Sequence, residues 1–488
     1  MEHPGIGLCS KGVATATIIG AGPNGLSAAI TLQQAGLQTT LLEAGPTVGG
    51  AARTAQITLP GFHHDLGSSV YPTGVASPFF NTLPLARYGH RWIEPGAPLA
   101  HPLDDGTAVM LEHDLAATCQ GLGDAGDGFA YRSIVKPLAD DWPSLCREIL
   151  GPILHLPRSP LVLARFGIYA MLPAATLARS AFKGARAQAL FAGMAAHSVL
   201  PLTGALSAAV GLVLAAAGHT TGWPIAEGGA QQLSNALAAH FETLGGRIEV
   251  DRRIDTLAEA EPADAILCDI SPRQLLRIAG GRMGPGFNRR LAAFKYGPGA
   301  YKVDWALSEP IPWRASDCRR AATVHVGGSL EEMIASEAAP WSHDPETEAA
   351  RPFVLVTQPS LFDPSRAPAG RHTAWGYCHV RNGSGVSACE AIEAQIERFA
   401  PGFRECILAR TVSAPAQLES WNANLVGGDL SGGAMTPRQL IFRPTPSLYS
   451  TGLKNVFLCS ASTPPGGGVH GMCGHLAAMR ALRSLKLG

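Results

Sequence analysis

Residues 13–19 form an apolar, β-branched run that stops at Gly20-Ala21-Gly22-Pro23-Asn24-Gly25, which predicts a buried strand entering a glycine-rich turn. Leu26, Ala29 and Ile30 then share one helical face and Gly36 supplies a stop, so the turn opens into a helix. Residues 38–42 predict a second strand, ending in Glu43. The alternation returns later. Leu233, Leu237, Phe241 and Leu244, spaced by three or four residues, predict a helix stopped by Gly245-Gly246. Residues 248–254 and 265–268 predict strands, and residues 455–459 a last buried strand before a glycine loop and an alanine-rich helix. This order predicts an α/β fold built on a Rossmann-type parallel sheet.

One stretch breaks the pattern. Residues 187–226 contain no Lys, Arg, Asp or Glu, yet Pro201, Gly204, Gly211 and Gly218 interrupt them, and the best apolar run, residues 206–217, falls short of the roughly 20 residues of a spanning helix. Buried helices beside an apolar ligand fit this composition, and peripheral contact with a membrane surface stays open. At 488 residues the chain calls for two associated domains. Lys plus Arg and Asp plus Glu balance at 38 each, which removes the charge signature of a nucleic-acid binder. The ten cysteines, Cys9 among them, form no CxxC pair and no metal-type spacing. Together with residues 1–11, which lack a leader pattern, they point to a reducing, cytoplasmic setting.

The glycines carry the first chemistry. Gly20 permits the tight turn, Gly22 lets backbone approach a pyrophosphate, and Gly25 allows helix to close on strand. The helix N-terminus then faces phosphate charge, while Glu43 stands where an acid accepts from ribose hydroxyls. A lone GxGxxG carries little weight; strand, glycines, helix, strand and acid in sequence carry much more.

After the acid comes Gly49-Gly50-Ala51-Ala52-Arg53-Thr54, and this GGxxRT run resembles the signature shared by amine oxidases and phytoene desaturases. The C-terminal run from Ser460 through Ser462, Pro464, Gly467 and Gly468 to His470 resembles the closing signature of the phytoene desaturases, departing from it at Ser460, Pro464 and Gly467. Residues 61–72, 192–202 and 466–474 are similar to the branch called pyridine nucleotide-disulfide oxidoreductase domain-containing proteins, although no redox CxxC and no second nucleotide motif occur. The resemblance implies one FAD. It places FAD contacts at Gly20, Gly22, Pro23, Asn24, Gly25, Glu43, Ala44, Gly50, Ala51, Arg53, Gly67, Ser68, Ile254, Ser462, Gly468, Val469 and His470. It also implies an FAD-binding domain from residues 1–84, 225–299 and 446–488, with an α+β substrate domain inserted as 85–224 and 300–445.

Flavin carries the redox chemistry in such a protein, so few acid–base groups are required. His470 is either a proton-handling side chain or a helix-start residue offering its backbone. Within His63-His64-Asp65, His64 and Asp65 could form a proton shuttle, but a turn capped by Asp65 is preferred for any one of them. His197 reads more readily as a core histidine than as a tunnel residue, and Tyr71 and Trp223 as walls of a substrate pocket. The expected function is oxidation (desaturation) of an apolar molecule such as an isoprenoid or acyl compound, with isomerisation or saturation chemically close and the electron acceptor left open, oxygen or a quinone among the candidates. A flavin amine oxidase is the rival enzyme. A non-catalytic carrier of a lipidic or lipidated partner, resembling the Rab GDP-dissociation inhibitors, is the rival from another class.

Overall fold

The computed structural model describes residues 13–342 and 350–486; Cys9 and residues 1–11 lie outside them. The first strand, Thr15–Ile19, enters Gly20 at φ +99, and the helix Pro23–Gln34 starts with Pro23 in its first turn and stops before Gly36 at φ +89. Thr15–Ile19 becomes the centre of a five-stranded sheet in the order Val456–Leu458, Ala265–Cys268, Thr15–Ile19, Gln38–Leu42, Arg247–Glu249. All its pairings are parallel. Parallel strands need crossover connections, and the segments that return to this sheet are far apart in the chain.

The last helix, Met472–Ser484, packs on Pro23–Gln34 so closely that a Cβ at Gly474 would stand 1.8 Å from the Asn24 carbonyl oxygen. The C-terminal glycine loop is thereby brought beside the N-terminal one. The expected strand 248–254 is shorter than its apolar pattern suggests. It ends at Glu249 because Asp251 takes φ +53, and the turned chain donates from Asp251 N to the Gly45 carbonyl (2.9 Å) and from Arg252 N to that of Glu43 (2.8 Å).

A second, seven-stranded sheet runs in the order Ile407–Ser413, Gly299–Leu307, His372–Val380, Val354–Thr357, Ala321–Val326, Ala97–Pro102, Ala108–Leu111. It is antiparallel except where Ala321–Val326 pairs with Ala97–Pro102. Alternation gives it two different faces. Val303, Trp305, Val324, Val356, Ala374 and Cys378 join an apolar core with Ile392, Ile396 and Phe399 of the helix Cys389–Phe399. The opposite face carries Lys302, Asp304, Thr373, Trp375, Tyr377, His379, Thr357, His325 and His101, most of them fully buried.

The uncharged stretch forms the buried helices Ala185–Ala196 and Ser207–Gly218. Small residues let them meet: a Cβ on Gly211 would sit 3.2 Å from Ala195 atoms. No helix among the described residues is long and apolar enough by itself to cross a membrane. The result is an α/β protein with a Rossmann-type domain and an additional α+β region, as the strand and helix pattern implied.

Candidate dinucleotide and substrate site

The glycine loop is built with no spare room. A Cβ at Gly22 would lie 2.7 Å from Asp269 Oδ2, and one at Gly25 would lie 1.9 Å from the Gly20 carbonyl oxygen. Glu43, at the end of the second strand, is oriented through both oxygens: Oε2 accepts from Ala21 N and Oε1 from Gly45 N, each at 2.8 Å. Gly50 at φ +54 presses its backbone on Gly22. Helix N-terminus, substituent-free backbone and ribose-level acid form the receptor for a dinucleotide. A family model described as the NAD(P)-binding Rossmann-like domain matches residues 18–83.

The chain has a Rossmann-type dinucleotide-binding domain.

Over most of its length the chain is also similar to known proteins. Pyridine nucleotide-disulfide oxidoreductase domain-containing protein 2 of Mus musculus is 26% identical over 96% of this chain and 94% of its own. An oxidoreductase from Methanosarcina mazei has the same fold at 13% identity, covering 96% of this chain and 100% of that one with a TM-score of 0.64. Cyclohexylamine oxidase from Brevibacterium oxydans shares it at 15% identity, over 97% and 100% of the two chains, with a TM-score of 0.58.

Around the glycine loop the structure gathers several of the residues named from sequence. Gly67 packs on Ala51, since a Cβ there would lie 2.5 Å from the Ala51 carbonyl oxygen, and Ser68 N donates to that oxygen. The Arg53 guanidinium donates from Nε to the Gly50 carbonyl (3.0 Å) and lies 5.1 Å over the Trp421 ring. A cleft of about 400 Å³ lined by Arg53, Thr54, Gln231 and Asn235 opens beside it. Pro23 and Asn24 begin the first helix, Ala44 follows Glu43, and Ile254 is buried in a separate core cluster behind the sheet with Ile19 and Leu42.

In the C-terminal loop, Ser462 is buried, Gly468 takes φ +121, and the Val469 carbonyl stands against Gly74. The His470 ring accepts the Met472 N–H at Nδ1 (3.1 Å), and its carbonyl accepts from Ser77 Oγ (2.6 Å). Burial holds this imidazole neutral, with its pKa down to about 4. Through Nδ1 the ring engages the first amide of the last helix.

Asp65 is a hub. It accepts from Thr54 Oγ1 (2.7 Å), Ala230 N (2.9 Å) and Ser69 Oγ, and pairs with Arg366 Nη2 at 2.9 Å. Burial alone would raise its pKa, but the Arg366 charge and these bonds hold it below the usual value. A carboxylate with this many partners fastens elements together. His64 donates or accepts at Thr58 Oγ1 (2.8 Å) and has Nδ1 3.5 Å from Asp304, with burial, then Lys302 and Arg366, driving its pKa to about 3. His63 contributes backbone: its N–H donates to the Arg366 carbonyl.

Tyr71 and Trp223 are both buried, and Tyr71 N donates to the carbonyl of Pro224, the residue after Trp223. His197 stands beside Trp223, ring centroids 5.9 Å apart, with Nε2 2.8 Å from His325 Nε2. Burial brings the His197 pKa to about 3, so one neutral ring donates to the other.

Several residues of this region carry no local signal in the sequence. Lys302 pairs with Asp304 and lies 4.7 Å over the Trp375 ring; burial lowers its pKa. His379 Nδ1 meets Glu337 Oε2 at 2.7 Å, while His379 Nε2 and Glu337 Oε1 are both buried without a hydrogen-bond partner. Arg443, buried beside the C-terminal loop, donates to the Ala461 and Ser431 carbonyls and leaves Nη1 unpartnered. Among the described residues, no three His, Cys, Asp or Glu side chains form a metal-sized group.

Asp269 completes the glycine loop from the neighbouring strand, its Oδ2 accepting from Gly25 N at 2.9 Å. Burial, reinforced by the Glu43 charge, raises its pKa to about 7. The unfolded chain ionises this group near pH 4, at about 3.9. The folded chain therefore binds the extra proton between about pH 4 and 7, and folding stability falls as pH rises through that window. Asp269→Asn removes this slope and stabilises the protein above pH 7 by roughly a few kcal/mol. Thermal melts of both proteins from pH 4 to 8 check it. Parallel melting curves for the two would refute the assignment.

Proposed function

We propose that this protein is an FAD-dependent oxidoreductase that takes a hydride from a C–H bond of a small organic molecule, and that its substrate is an amine with an apolar body. The observation that carries this reading is the polar inner face of the seven-stranded sheet. On that face Trp375 Nε1, Thr373 Oγ1, Thr357 Oγ1 and His379 Nε2 are buried and unpartnered, as is Oε1 of Glu337, which meets His379 from the helix Leu330–Ala338. Leaving such groups unsatisfied costs about 1–3 kcal/mol each, so their concentration marks where a polar ligand and its water are received.

FAD, when bound, supplies the hydride acceptor. The substituent-free glycine loop, Glu43 and Arg53 are the groups of this chain fitted to hold its dinucleotide part. Glu337 orients His379, whose free Nε2 takes the proton of the substrate N–H, and Glu337 Oε1 accepts from the same nitrogen. The apolar body rests against the uncharged segment 187–226, which supplies most of the helix Ala185–Ala196 and all of Ser207–Gly218. The name of the Brevibacterium protein, an oxidase of an amine with a hydrocarbon ring, supports this class. Desaturation of a wholly apolar molecule is the second reading, favoured by that uncharged segment; it needs no N–H proton.

The visible spectrum after FAD loading, followed by anaerobic bleaching with amines and with alkenes, tests the proposal. Flavin bands bleached by an amine, with peroxide on readmitting air, are expected. Bleaching by alkenes alone would select desaturation, and a protein that retains FAD without turnover would revive the carrier reading. His379→Asn and Glu337→Gln lower kcat/KM for the amine about a hundredfold while leaving the flavin spectrum intact. Unchanged kinetics in both variants would remove the dyad from the reaction.

A further inference from the structure

Large exposed apolar side chains concentrate in one stretch of this chain. Ile153, Leu154, Leu156, Leu161, Ile168 and Met171 all face solvent, Leu156 at 92% and Leu161 at 79% of full exposure. Apolar side chains scattered singly need no explanation, whereas a contiguous set marks a surface made for contact.

The presentation is built. Glu148, itself buried, accepts from Arg158 N (2.9 Å), Ser159 N (2.7 Å) and His155 Nε2 (2.6 Å), so one carboxylate braces the loop that holds Leu154 and Leu156 outward. Pro160 then starts the helix Pro160–Ala170, which buries Phe166 and Ala170 and turns Leu161 and Ile168, two turns apart, to the outside.

Charge selects the partner. From residue 150 to 226 the chain has no Asp or Glu, while Arg158, Arg165, Arg179, Lys183 and Arg186 are cationic. Some of these are answered from elsewhere, Arg165 by Asp141 and Arg179 by Glu331. Arg158 lies within the apolar set itself. Apolar residues interspersed with arginine fit the interface of an anionic bilayer, where the hydrocarbon enters the acyl boundary and guanidinium stays at headgroup level. The helix pair Pro160–Ala170 and Ala174–Ala181 is bent by 91°.

We propose that this face docks the protein on an anionic membrane surface, with Leu154, Leu156, Leu161 and Ile168 inserted and Arg158 among the headgroups. The reading is independent of the redox chemistry. Flotation of the FAD-loaded full chain with vesicles of phosphatidylcholine alone, or mixed with phosphatidylglycerol, tests it. The wild type is expected to float with the mixed vesicles and far less with the neutral ones. L154Q/L156Q/L161Q/I168Q should lower the partition coefficient about a hundredfold with its thermal unfolding unchanged. Arg158→Glu, which leaves every apolar contact in place, should lower binding to the mixed vesicles severalfold. Wild-type protein that stays with neither vesicle, or a quadruple variant that floats as the wild type does, overturns the proposal. So does a wild-type dimer in sedimentation that the quadruple variant breaks, because the face would then belong to a second copy.

Discussion

Gly25→Ala yields a colourless protein, its affinity for FAD reduced by more than about a hundredfold. The added Cβ would fall 1.9 Å from the Gly20 carbonyl oxygen and 3.1 Å from Asp269 Oδ2. The first of these is backbone, and it cannot retreat cheaply: Gly20 N is bonded to the Leu42 carbonyl at 2.8 Å, and Gly25 N to Asp269. Helix and strand must separate, and the amides at the helix N-terminus lose their aim at the phosphates. Gly36→Ala is the control. Gly36 also has a positive φ, but nothing lies within 4 Å of its would-be Cβ, so only backbone strain of about 1–2 kcal/mol is expected and flavin is kept. Visible absorbance after FAD loading and desalting reads both variants. A Gly25→Ala protein with a full flavin complement would show that this loop is not the phosphate cradle.

Arg366→Met is expected to destabilise the fold by about 3–5 kcal/mol, because it strands the Asp65 carboxylate inside the protein without its counter-charge. Asp65 and Arg366 are each about 1% exposed, so water does not compensate. The pair also joins distant pieces of chain: Asp65 accepts from the first amide of the helix Ala230–Thr243, and Arg366 Nε donates to the His63 carbonyl. Combining Asp65→Asn with Arg366→Met should recover a good part of the loss, since the buried charge then disappears. Urea unfolding of the two single variants and the double variant measures the coupling. Additive losses would mean that the two groups act separately. A stable Asp65→Asn protein with lost turnover would make Asp65 a reacting group after all.

The polar inner sheet face shows why part of the site escaped local reading. In His-Thr-Ala-Trp-Gly-Tyr-Cys-His-Val, residues 372–380, alternate positions hold Thr373, Trp375, Tyr377 and His379. A period of two with polar side chains on one face ordinarily describes a strand with one side in water. Here Thr373, Trp375 and His379 on that side are buried, and nothing within nine residues announces it. His325 and Glu337 are equally silent until the sheet and the helix Leu330–Ala338 place them beside His197 and His379. The histidine pair beside Asp65 had the opposite character. Its local pattern allows a shuttle but favours a turn capped by Asp65, and the partners that engage Asp65 come from residues 54, 69, 230 and 366.

The glycine loop, the acid after the second strand and the α/β class were written in the sequence because they depend on contacts within about thirty residues, where turn geometry and strand period act directly. The parallel sheet needs distant strands, but each carries its own apolar run and can be recognised singly. What surrounds a carboxylate or an imidazole is a different matter. Asp269 at the helix start, the bonded His379–Glu337 dyad and the buried Asp65–Arg366 pair arise only when segments separated by tens to hundreds of residues meet. Burial and partners then set each charge and proton, and no local pattern encodes them.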